Sequence, residues 1–276
     1  MINSQIPMES HALGWLAVAL YLAAQVCAIV SLVRPREMVA RATPLLVAGG
    51  LALHFADLMH RARELSSVPY RTLGGSVSFF GWMLGIAYLA LALRHRERAT
   101  GPFLIPVVIV ATVIGLILPD APSAPSRGTQ GSVFAWHVTL AILAYAAFAL
   151  SFVLSILYLI QSRQIRRGKT GVLFSRLPPL EVLGRMNRTS VSIGLGVLAL
   201  SVALGVFWAD RFWTTLADPK VVFAVLTLLV YGLLLWMDRR GWEGPRVALL
   251  SILGFSVVLF SYTVVNMYLT QAHRFR

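Results

Sequence analysis

The sequence predicts an all-α, polytopic membrane helix bundle of about eight transmembrane helices, with both termini on the extracytoplasmic side. Three observations carry that expectation. Of the 276 residues, 58% are hydrophobic and only 13% charged, a balance that soluble domains do not reach. Apolar runs of the length needed to cross a hydrocarbon core recur along the whole chain, at about 20 residues each. The basic residues lie between those runs and alternate in density from one connection to the next.

Taken in order, the predicted spans are 12–32, 43–60, 73–93, 102–118, 133–160, 189–208, 219–237 and 246–270. They leave no room for a soluble module, so residues 1–276 read as a single integral membrane domain. The first span lacks a basic n-region and a small-residue cleavage site, and reads as a retained helix. The connection 119–132, "PDAPSAPSRGTQGS", is a Pro/Ser/Gly loop. The connection 161–188 is strongly basic, and within it "LPPLEVLGRMNR" has apolar positions at helical spacing after a double proline, which predicts a short interfacial helix.

A net charge of +13 would suggest nucleic acid in a soluble protein. Here it reports topology. With the amino terminus outside, 16 of the 24 lysines and arginines lie on the cytoplasmic side, and reversing the chain inverts the bias. No nucleic-acid partner is expected; membrane lipid is. Cys27 is the only cysteine, which excludes an intramolecular disulfide, a CxxC pair and a CxxCH haem attachment. No inverted repeat is evident and no span carries a lone carboxylate at its centre, so a small-molecule transporter is allowed by the span count but demanded by no residue. Nor is there a phosphate-binding loop or an activated nucleophile, and independent enzymatic turnover is not expected.

The predicted topology brings five of the six histidines, His11, His54, His60, His137 and His273, to or near the outer face. His11 reads as a solvated terminal residue and His60 as an interfacial one. His54 lies within a span, where an imidazole is costly unless it is paired or faces a cavity. Two arrangements are open: Asp57, three residues on, fixes the His54 tautomer, or Asp57 pairs with Arg61 and His54 packs. Neutral imidazoles are axial ligands for haem iron, and Trp208, Phe212 and Trp213 in "VFWADRFWTTLADPK" could shelter a flat macrocycle. Arg61, Arg63, Arg71 and Arg211 stand on the side where arginine should be scarce; haem propionates need such partners, and lipid headgroups offer the bland alternative. A two-histidine zinc site has no supporting HxxxH or CxxC spacing.

Long stretches resemble a known family. "WHVTLAILAYAAFALSFVLSILYLIQSRQIR", "LPPLEVLGRMNRTSVSIGLGVLALSVALGVFW" and "ADPKVVFAVLTLLVYGLLLWMDRRGWEGPRVALLSILGFSVVLFSYTVVNMYLTQAHRF" are similar to the integral membrane cytochrome c assembly proteins of the CcsA/CcmC type, and within them to the eight-helix branch that includes HemX and YpjD. The resemblance is clearest over residues 130–276. It implies a bacterial inner-membrane protein that binds haem, transiently and as haem b, and holds or transfers it at the extracytoplasmic face. By position it assigns axial ligation to His137 and His273 and a transmembrane histidine to His54. The family's tryptophan-rich segment, roughly W-G-x-x-W-x-W-D-P-K, falls on residues 208–220, where "WTTLADPK" keeps Trp213, Asp218, Pro219 and Lys220 but is shorter and lacks the central tryptophans. Trp208, Trp213, Asp218, Arg61 and Arg211 are the residues expected around haem. A second assembly subunit or an apocytochrome is the expected protein partner. The alternative reading, from the HemX-like branch, is a membrane regulator or scaffold of haem biosynthesis that no longer delivers haem.

Overall fold

The computed structural model describes residues 11–34, 36–65, 68–118, 132–168, 175–208, 219–242 and 244–261. Among them it forms α1 (Ala12–Val33), α2 (Glu37–Glu64), a 3₁₀ turn (Pro69–Arg71), α3 (Leu73–His95), α4 (Gly101–Ile117), α5 (Ser132–Arg166), α6 (Leu180–Trp208), α7 (Pro219–Arg239) and α8 (Gly244–Phe260). No strand occurs among the described residues. Six helices are long and apolar enough to cross a membrane; α4 and α8, at 17 residues each, are shorter. All eight predicted spans are helices. For the last, 246–270, the portion beyond residue 261 lies outside the described residues.

Helix ends follow local chemistry. Thr72 caps α3, its side chain accepting a hydrogen bond from the Gly75 N–H at 2.9 Å, and the helix closes on Arg96 in the left-handed conformation at φ 51°. Thr72→Ala should cost about 1 kcal/mol, read as a small drop in thermal midpoint in detergent. Proline opens α4 and α7, where its missing N–H is not needed. Glu37 and Glu181 stand in the first turns of α2 and α6, and Arg61, Arg63 and Arg163 in last turns, each sign opposing the local helix dipole.

One expectation is corrected. The segment after the double proline is not a separate interfacial helix: it is the first third of α6, which runs unbroken from Leu180 to Trp208. No proline interrupts it, and Thr189 and Ser190 return their hydroxyls to the carbonyls of Arg185 and Met186, at 2.9 and 3.0 Å, so no polar group breaks the ladder.

Backbone packing divides the chain into two compact units, the first containing α1–α4 and the second α5–α8. In the first, α1 packs on α2 and α4, and α3 on α4 and α2; Tyr21, Leu58, Leu84, Leu104 and Ile105 are fully buried between them. In the second, α5 lies along α6 and against α8, and α7 contacts α6 and α8. The Phe148 and Tyr231 rings stack there at 3.8 Å with planes 6° apart. Helices in lipid gain little from apolar burial against one another and associate through close packing at small residues. Gly194, whose added Cβ would lie 2.7 Å from the Phe148 ring, marks such an approach. Large apolar side chains such as Leu16, Val26, Leu200 and Leu229 are exposed, as a lipid-facing surface requires.

Candidate functional site

In the first unit, charge is buried where α1, α2 and α4 meet. Asp57 and Arg61, one turn apart on α2, form an ion pair at 3.0 Å with side chains 0% and 2% exposed. The other carboxylate oxygen accepts the Gly14 N–H at 3.1 Å. Gly14 is in the first turn of α1, whose amides have no partner within the helix. Arg61 in turn donates to the Gly115 carbonyl at 3.2 Å, in the last turn of α4, where carbonyls are likewise orphaned. One i,i+4 pair therefore caps the amino end of one neighbour and the carboxyl end of another, each with the sign the helix dipole favours. This decides between the two arrangements left open above: Asp57 serves Arg61 and α1, not the imidazole.

His54, also fully buried, finds partners on other helices. Its Nε2 lies 2.8 Å from the Ser78 hydroxyl on α3, and its Nδ1 3.4 Å from the Tyr21 hydroxyl on α1. Both ring nitrogens face protein hydroxyls, so in either tautomer the one lone pair of the neutral ring is directed at a protein group. Arg61, expected near a haem carboxylate, instead has its charge met inside the unit, because burial at 2% exposure requires a local counter-charge. His11 is not solvated: it is buried at the start of α1 and interacts electrostatically with Asp57. His60 forms an exposed pair with Glu64 at 3.7 Å, an ordinary surface contact.

The second unit holds His137, near the beginning of α5. Its Nδ1 is 2.7 Å from the Ser201 carbonyl oxygen on α6. A carbonyl can only accept, so Nδ1 carries the proton and Nε2 the lone pair. The Ser201 hydroxyl donates back to the His137 carbonyl at 2.8 Å. Gly205, one turn further along α6, makes room for the ring: a Cβ there would stand 2.8 Å from Cε1 and 2.9 Å from Nδ1. Phe134 lies alongside, ring centroids 6.4 Å apart. His137 is partly exposed, and no described residue bonds its Nε2. A neutral imidazole oriented through Nδ1–H to a backbone carbonyl, with Nε2 open, is the form that ligates a metal.

Arg211, Trp213, Asp218 and His273 lie outside the described residues, and Trp208 ends α6 with only its backbone described. Among the described residues no three His, Cys, Asp or Glu side chains gather as a metal site. Sequence reading missed Tyr21, Ser78, Ser201 and Gly205. The signal for the last two was present: Ser190, Gly194, Ser201 and Gly205 recur on α6 at helical spacing, the small-residue pattern of a close helix crossing.

Helix lengths, lipid-facing apolar surface and buried polar clusters define a multi-pass helical membrane protein. The sequence pattern of the cytochrome c assembly proteins matches residues 70–273. Similar proteins include Protein HemX of Bacillus subtilis (strain 168), 36% identical over 219 residues covering 75% of this chain and 76% of that protein. Protein HemX of Brevibacillus brevis is 31% identical over 197 residues, 68% of this chain and 70% of that protein. Cytochrome c biogenesis protein CcsA of Prochlorococcus marinus (strain MIT 9312) is 28% identical over 236 residues, 76% of each. The chain belongs to the cytochrome c assembly protein family, and its role lies in cytochrome c biogenesis.

Proposed function

We propose that this protein binds haem at the extracytoplasmic face of a bacterial inner membrane and holds or transfers it during cytochrome c maturation, with His137 and His273 as the axial ligands. The observation that carries this reading is the Nδ1–H bond from His137 to the Ser201 carbonyl, which leaves Nε2 as the free donor for iron. The match to the family through residue 273 supports His273, and the retained Trp213 and Asp218, with Trp208 and Arg211, supply the surrounding surface. Haem b, held transiently, is the cargo; an apocytochrome or a second assembly subunit is the partner, since the single Cys27 gives this chain no thiol-reducing pair. Residues 1–276 act as one membrane domain, in which His54 and Arg61 support the first unit rather than touch haem.

A second reading, a HemX-like regulator or scaffold of haem biosynthesis, is favoured by the identity to HemX relatives and by the shortened tryptophan segment. Its action would centre on the basic stretch 163–188. Deleting the gene separates the two. Under the first reading the deletion strain loses covalently bound haem from its c-type cytochromes, the wild-type gene restores it and the His137→Ala gene does not. Normal c-type cytochromes in the deletion strain would reject assembly in favour of regulation.

A further inference from the structure

A cavity of about 370 Å³ lies within the second unit at its arginine-rich end, lined by residues of α5, α6, α7 and α8. The geometry points to a binding site for the phosphate headgroup of an anionic phospholipid, held by Arg185, Tyr158 and Asn187. This use is separate from the histidine chemistry above.

The donors are arranged before any ligand arrives. Asn187 is buried, 7% exposed, and its Oδ1 is taken by the Ser151 hydroxyl at 2.6 Å and the Ser251 hydroxyl at 3.5 Å. Ser151 and Ser251 also bond each other. With the amide oxygen fixed from two other helices, its Nδ2 group has no hydrogen-bond partner among the described residues, and Asn187 lines the cavity, which leaves a pre-positioned donor for a bound acceptor. Tyr158 brings its hydroxyl against Gly244, where any larger residue would collide with it; among the described residues that hydroxyl, too, has no hydrogen-bond partner.

The electrostatics favour an anion. The first turns of α6 and α8, at Leu180–Glu181 and Gly244–Val247, both border the cavity, so two positive helix ends point toward it. The two carboxylates on its wall are engaged unequally. Asp238 is held by Arg188, which donates Nη2–H to Oδ1 at 3.1 Å and brings its Nε into ion-pair contact with Oδ2. Glu181 is 82% exposed and only 3.8 Å from Arg185, a loose surface pair that a phosphate can displace. Arg185 is therefore the available guanidinium.

The depth favours a lipid over a free anion. Trp236, near the end of α7, and Trp242, on the α7–α8 connection, are half-exposed and carry Arg240 and Arg246 over their rings at 5.2 and 5.8 Å. Tryptophans and arginines so placed mark the headgroup level, and basic pockets between helices at that level take anionic headgroups. Leu180, Leu234 and Val247 provide an apolar floor for the glycerol and first acyl carbons.

The test is retention of lipid by the full chain, reconstituted in nanodiscs of equal phosphatidylglycerol and phosphatidylcholine, then released into mild detergent and weighed intact. Wild type should keep phosphatidylglycerol in preference to phosphatidylcholine, and millimolar inorganic phosphate should not displace it. Arg185→Gln and Tyr158→Phe should each lower retention about tenfold, while Arg163→Gln, an exposed cation outside the cavity, leaves it unchanged. Both variants should melt like wild type in phosphatidylcholine alone, which separates loss of the site from loss of the fold. Equal retention of the two lipids, unchanged retention in both variants, or displacement by inorganic phosphate overturns the proposal.

Discussion

Asp57→Asn should destabilise the protein by about 3–5 kcal/mol, the cost of leaving one member of a buried ion pair without its counter-charge. Asparagine can still accept from the Gly14 N–H, so the end of α1 stays capped. What is lost is the negative charge beside an Arg61 guanidinium that is 2% exposed. The pair Arg41–Glu37 supplies the control: it has the same i,i+4 spacing and a 3.1 Å separation, but its side chains are 70% and 68% exposed. Solvent screens that pair, and Glu37→Gln should cost no more than about 1 kcal/mol. Removing both buried charges together, as Asp57→Leu with Arg61→Met, should cost much less than Asp57→Asn alone, since no orphaned charge remains. Thermal melts of the four proteins in one detergent check this; equal shifts for Asp57→Asn and Glu37→Gln would show that burial does not govern the pair.

His137→Ala should reduce haem content about tenfold or more, as expected for loss of an axial ligand. The more discriminating change is Gly205→Val, which leaves both proposed ligands in place. A side chain at 205 drives into Cε1 and Nδ1 of the imidazole, so the ring must leave the Ser201 carbonyl, and loss of such an orienting bond typically weakens a metal site about 10–100-fold. Gly196, on the same helix with open space beside it, provides the matched control: Gly196→Val should keep haem. Haem per protein in the purified variants, from the pyridine haemochrome, measures the effect.

The spans were legible because membrane crossing imposes a length and a composition that no tertiary contact has to supply. Helix ends were less so: α5 and α6 continue beyond the apolar stretch because nothing in 161–166 or 180–188 breaks a helix, and hydropathy sees only the lipid-facing part. Within the candidate site, the Asp57–Arg61 pairing could be read from i,i+4 spacing. Its capping of Gly14 and Gly115 could not, since those residues come from α1 and α4. For the same reason His54 could be recognised as costly but not assigned its partners Tyr21 and Ser78, which lie 33 and 24 residues away in the chain. His137 stood out as a histidine at a helix start. That Nε2 is its free nitrogen depends on a carbonyl 64 residues away.

The visible spectrum of the protein purified in mild detergent after haem-supplemented expression tests the central claim most directly. Haem held by His137 and His273 predicts a strong Soret band that is lost or shifted in His137→Ala and in His273→Ala. A colourless wild-type protein, or a band unchanged in both variants, would contradict it.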